Sequence, residues 1–259
     1  AGDADSHDEP PEGADRWWLP HMTEDVTVRF GSGWPFPSPM WQDPPWSMTG
    51  TVITAWFHAE PGRLAELAHA DFAPMHEGSQ TRLRFYDIVA TSGGRSTPFQ
   101  EAVVAFRTSY RGVHGELSAL MWTDSIPYLT WGREVFGWPL QYGEVNLQGG
   151  LWDGEATADA FCQTEGLSLE SVRVESERTL APSDPTVWIT PQRRLSAVNV
   201  ASEERRVLAI RPRVVHPGRS FRCSGSLDVR ELFGEVQNVE IDAVTGVTIE
   251  VGDDVAAIE

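Results

Sequence analysis

Seven short stretches rich in valine, isoleucine, leucine and aromatic residues set the strongest limit on how this chain can fold. They are TVITAWF (51–57), TRLRFYDIVA (81–90), EAVVAFR (101–107), GELSALMW (115–122), SVRVESERTL (171–180), RVLAIRPRVV (206–215) and VEIDAV (239–244). Each is partly alternating and of strand length. Turn-forming runs such as SGG (92–94) and HPG (216–218) separate many of them. Helical signals are few. Pro61 suits a first helical position, Leu64 and Leu67 then share a face, and Pro74 lies beyond the end. DVRELF (228–233) is a second candidate. Too few helices are present to serve as crossovers for parallel strands, so the expected class is α+β and mainly antiparallel β, a sheet that curls or closes into a barrel or cone with helices at its periphery.

Ahead of this body, residues 1–16 form an acidic segment with almost nothing apolar, which reads as a disordered tail. Residues 17–47 place Trp17, Trp18, Trp34, Trp41 and Trp46 among Pro20, Pro35, Pro37, Pro39, Pro44 and Pro45. Prolines force extended geometry while the indoles demand burial, so this segment reads as an arm that packs on the body or on a neighbouring subunit. Residues 48–259 are expected to form one domain.

The chain of 259 residues has a formal charge of −18, and all 20 of its basic residues apart from histidine are arginines. It contains no lysine. An acidic surface with scattered arginines disfavours nucleic acid and anionic lipid as partners. No stretch reaches the roughly 18 apolar residues of a transmembrane helix, and Cys162 and Cys223 make no framework, so the expected compartment is cytoplasmic. The seven histidines form no HExxH or Cys/His cluster, and no GxSxG elbow or dinucleotide fingerprint occurs. Neither metal nor cofactor is expected.

One segment is more specific. Between Trp122 and Gly143 the residues Asp124, Pro127, Gly132, Arg133, Glu134, Trp138, Pro139 and Gly143 stand in an order that resembles the central signature of the acetoacetate decarboxylase-like superfamily. The resemblance extends over roughly Met48 to Gly252. It implies that Asp87, on a strand, and Glu101, opening the next, line an active-site cavity. It also implies that Trp138, Phe136, Leu140, Gln141 and Tyr142 contact the substrate, and that Arg133 and Glu134 form a structural ion pair. The family is typically oligomeric, and the arm suits a homo-oligomer.

The departures matter more. Where the family carries its paired lysines, the first of which forms a Schiff base, this chain reads Leu140 and Gln141. No other lysine exists to replace them. Removing two ammonium groups from an apolar cavity raises carboxyl pKa values, so Glu101 and Asp87 could act as acid and base on a hydrophobic carbonyl or β-keto acid compound, with Gln141 donating to an oxyanion. The expected function is therefore a lysine-independent lyase, with reaction types from dehydration to aldol cleavage or cyclisation. The rival is a non-catalytic small-molecule-binding protein of the same fold.

Overall fold

The computed structural model describes residues 46–67, 72–74, 80–149, 157–179, 188–192, 206–251 and 255–258. The acidic tail, and the arm as far as residue 45, lie outside the described residues. The first half of the body comprises β1 (Trp46–His58), α1 (Pro61–Leu67), β2 (Ala73–Pro74), β3 (Gln80–Ser92), β4 (Arg95–Tyr110) and β5 (Val113–Thr123), then α2 (Ile126–Trp131), a π-helical turn over Gly132–Phe136, and β6 (Leu140–Tyr142). The second half holds β7 (Val145–Gly149), β8 (Thr157–Cys162), β9 (Leu167–Arg178), β10 (Trp188–Gln192), β11 (Arg206–Ile210), β12 (Arg213–His216), β13 (Arg219–Asp228), α3 (Arg230–Phe233), β14 (Gln237–Val251) and β15 (Val255–Ile258).

Among the described residues all fifteen strands belong to one sheet, twelve of them in the order β15-β11-β10-β5-β4-β3-β1-β14-β13-β9-β8-β7, while β12 pairs with β14, β2 with β4 and β6 with β5. The side-chain amide of Gln100 on β4 donates to Leu147 O on β7 at 3.5 Å, which brings the far end of that order back toward its middle. The sheet is thus curled into a half-barrel. Its pairs are antiparallel except β10 and β6 against β5. Each stretch expected to be a strand contains one. The exception in length is 206–215, which Pro212 divides into β11 and β12, because proline cannot donate to a ladder. Strand β1 starts two residues before position 48: Trp46 opens it, is buried, and meets Phe136 edge to face at 5.9 Å.

Alternation gives the sheet two buried faces. On β3, Leu83 and Phe85 join a core with Ile53, Phe57, Val104 and Phe106, and α1 and α3 add Leu64 and Phe233 to it. The intervening residues Arg84, Tyr86 and Ile88 look the other way, toward a second cluster that contains Phe99, Met121, Tyr128, Trp138 and Leu140. Each fully buried large apolar side chain contributes on the order of 1.5–3 kcal/mol.

The turn between β3 and β4 fixes what faces what. Gly93 and Gly94 both have positive φ, 53° and 79°, the geometry of a two-residue hairpin whose twist matches its strands. Counting outward, Ser92 faces Arg95 and Tyr86 faces Glu101.

The signature segment is built around backbone needs. Asp124 accepts from Gln100 N at 2.9 Å and so ties the end of β5 to β4. Ser125 caps α2 through Tyr128 N at 3.4 Å, and Pro127 sits in its first turn. Gly132 has ordinary helical φ; its role is space, because a Cβ there would collide with Leu140 and come within 3.0 Å of the Trp138 ring. A Gly132→Ala protein is expected to lose about 1–3 kcal/mol of stability by overpacking. Urea unfolding monitored by tryptophan fluorescence measures this.

Candidate active site

The second core cluster does not close completely. It leaves a cavity that opens to solvent, with about 560 Å³ of space when its open mouth is included. Most of its wall is apolar, with Met48, Ile88, Phe99, Met121, Trp138 and Trp188 prominent. Its polar members are Arg84 and Tyr86 from β3, Glu101 from β4, Ser118 from β5 and Tyr128 from α2.

Glu101 is buried, 5% exposed, at the centre of this set. Its Oε2 accepts from the Tyr128 hydroxyl at 3.4 Å, while its Oε1 is buried without a hydrogen-bond partner. The Tyr128 ring is held by stacking on Phe99, with centroids 4.2 Å apart. Burial pushes the Glu101 carboxyl up to about 8, and the Tyr128 hydrogen bond and the Arg84 charge only partly oppose it. Burial also raises the Tyr86 and Tyr128 hydroxyls, so both stay protonated.

Arg84 would hold Glu101 ionised if its charge were free, but another carboxylate has claimed it. Glu116 on β5, 1% exposed, faces Arg84 through contacts of 2.7 and 2.8 Å and also pairs with Arg82. Arg82 lies 3.9 Å over the Trp56 ring. Burial lowers Arg82 to about 10 against the pull of Glu116. Burial opposes the charge of Arg84 too, yet Glu116 and Tyr86 outweigh it and raise its pKa. Arg84 donates a further hydrogen bond to the Tyr86 oxygen at 3.2 Å.

The residues expected from the sequence divide clearly. Glu101 and Trp138 line the cavity. Leu140 and Phe136 are buried in the cluster behind it. Asp87 is exposed, and this corrects its expected role: a period of two puts it on the face opposite Tyr86. Gln141 is exposed beside Leu140 for the same reason, so it offers nothing to an oxyanion in the cavity. Tyr142 is 60% exposed and stands clear of the lining. Arg133 is exposed, and its expected partner is Glu134, whose side chain lies outside the described set.

Sequence reasoning missed Arg84, Tyr86, Tyr128, Trp188 and the buried Glu116. For Tyr86 a signal existed in the two-glycine turn, which sets it opposite Glu101. Tyr128 could have been placed by noticing that Ser125 and Pro127 start a helix whose first turn lies against β4. Trp188 is brought in by the parallel pairing of β10 with β5, which no local pattern announces.

Two measurements check these electrostatics. Glu116→Gln leaves two buried guanidinium groups short of a counter-charge and is expected to cost about 3–5 kcal/mol in urea unfolding. Glu101 has the opposite character. Its folded-state pKa lies above the ordinary value, so its contribution to stability is complete below pH of about 4.5 and is lost as pH rises through about 8. The stability of Glu101→Gln should therefore fall less between pH 5 and 9 than that of the wild type, by roughly 2–5 kcal/mol. Parallel curves for the two proteins would show that Glu101 is ionised throughout.

Comparison with known proteins agrees with this architecture. The family model described as acetoacetate decarboxylase (ADC) matches residues 33–252. No curated protein sequence gives a match. Among solved structures, the enduracididine biosynthesis enzyme MppR complexed with the condensation product of pyruvate and imidazole 4-carboxaldehyde is 15% identical, with TM-score 0.68, over 88% of this chain and 98% of that one. An acetoacetate decarboxylase-like enzyme from Sphingomonas wittichii RW1 is 14% identical, with TM-score 0.68, over 86% and 96%. The acetoacetate decarboxylase of Legionella pneumophila is 12% identical, with TM-score 0.61, over 87% and 93%. Such identities carry the fold, while the family-model match spans most of the chain. The chain belongs to the acetoacetate decarboxylase family.

Proposed function

We propose that this protein is a lysine-independent enzyme of the family, carrying out acid/base lyase chemistry on an apolar carbonyl or β-keto acid compound with Glu101 as its proton-bearing group. One observation carries the reading: a buried carboxyl, with one oxygen unpartnered, lines an apolar cavity where burial raises its pKa to about 8. A group with that proton affinity is matched to acid/base work near neutrality. The MppR complexes with pyruvate and with its condensation product support a carbonyl ligand for the fold.

The sequence has no lysine, and Leu140, at the position resembling the Schiff-base lysine, is an alkane in a packed cluster. For a β-keto acid the remaining route breaks the bond between the α-carbon and the carboxylate directly. The electron pair becomes the enol double bond, carbon dioxide leaves, and the carbonyl oxygen takes a proton from Glu101, which regains one from water. Tyr128 holds the Glu101 carboxyl in place through Oε2. Within this reading the protein works as a cytoplasmic homo-oligomer, with residues 48–259 as its catalytic domain.

The exposure of Asp87 and Gln141 favours a second reading, in which the cavity binds a small molecule and no bond is made. Turnover separates the two. Against a panel of β-keto acids bearing apolar chains, the wild type should release carbon dioxide with activity declining above pH 8. Glu101→Gln should lower kcat by about 10²–10⁴-fold with little change in affinity. Borohydride added during turnover should leave the chain unmodified; a covalent adduct would sink the lysine-independent mechanism. Binding without turnover of any panel member selects the second reading.

A further inference from the structure

Tyr86 is not among the site residues expected from the sequence, and its surroundings define a task. It lies directly across from Glu101 in the β3–β4 ladder, where opposite Cβ atoms are about 5 Å apart. Both side chains line the same cavity. The Tyr86 oxygen already accepts a hydrogen bond from Arg84, so its own O–H is left to donate elsewhere. Glu101 presents the buried, unpartnered Oε1.

We propose that Tyr86 and the Oε1 hydroxyl of protonated Glu101 form a pair of neutral donors that grip one ligand oxygen carrying developing negative charge, making this a site for enolates and, equally, for phenolates. Tyr86 is then a catalytic residue, because it touches the oxygen on which charge accumulates. The inference deepens the reading above and rests on Glu101 being the proton-bearing carboxyl. A carboxylic acid kept neutral by an apolar site can donate a strong hydrogen bond to such an oxygen, and donors set in place beforehand act where water would otherwise reorganise.

The groups around Glu101 agree with this assignment. From β3 come Tyr86 and Arg84, the latter matched by Glu116; from α2 comes Tyr128, whose hydroxyl is committed to Oε2; from β5 comes Ser118. The remaining wall from β1, β10 and β14 is apolar, through Met48, Trp188 and Ile249. Walls of this character suit a flat aromatic or enolised ligand anchored through its oxygen. Arg84 strengthens Tyr86 as a donor, because a cation donating to the phenol oxygen draws electron density from its O–H.

The test uses the full chain and 4-nitrophenol, whose absorbance distinguishes phenol from phenolate. At a pH one unit below the free phenol's own pKa, the bound probe should absorb as phenolate. Tyr86→Phe and Glu101→Gln should each weaken binding by tenfold or more, whereas Tyr110→Phe, outside the cavity, should match the wild type. Bound probe that absorbs as neutral phenol, or Tyr86→Phe binding within twofold of the wild type, overturns the donor pair. The wild-type spectrum carries the test alone should a variant fail to fold. Phenolate bound through Tyr86 with no keto acid turned over removes the enzymatic reading and keeps the donor pair. Turnover that depends on Glu101 but is unchanged in Tyr86→Phe removes the donor pair and keeps the enzymatic reading.

Discussion

A guanidinium can stay inside a sheet only if a neighbouring element brings it a counter-charge, and the two buried arginines of β3 meet that condition through one residue, Glu116 of β5. The arrangement spans β4, so three strands must hold their register for it to exist. It also borders the cavity, because Arg84 is one of the cavity's polar members. There burial raises Glu101 to about 8, and the Tyr128 hydrogen bond and the charge of Arg84, itself matched by Glu116, only partly oppose it.

The signature segment has a structural logic that outlives the lysines. Asp124 clasps the backbone of Gln100, beside Glu101; Ser125 and Pro127 start the helix that delivers Tyr128; Gly132 clears room for Leu140 and Trp138; and Gly137, with φ of 70°, turns the chain back toward the sheet. None of these roles requires an amine. The pattern of the family can therefore persist in a chain without lysine, and the family model matches it over residues 33–252.

This also explains what could be read from the sequence. Strand periodicity is a local property and marks the main ladders, while Pro61 and the spacing of Leu64 and Leu67 mark the α1 helix. Glu101 was expected in the cavity only through the resemblance to the family's signature order, and it does line the cavity. Asp87 misled because spacing along a motif was used where parity along a strand decides, and a shift of one residue exchanges the two faces. The same parity removes Gln141 while keeping Leu140. Glu116 and Trp188 were illegible, since their partners are set by pairing between strands distant in sequence.

Parity further explains why a tyrosine fits opposite Glu101. The resemblance places an acidic residue on this strand, and a second carboxyl in a cavity without a spare cation would repel the first or force both to share a proton. Tyr86 avoids that conflict. It is neutral at every pH where Glu101 titrates, it still donates, and its oxygen gives Arg84 a further acceptor. A cavity without free cations keeps a protonatable carboxyl only if its other anions are absent or paired. Both conditions are met, the first by Tyr86 and the second by the arginines that hold Glu116.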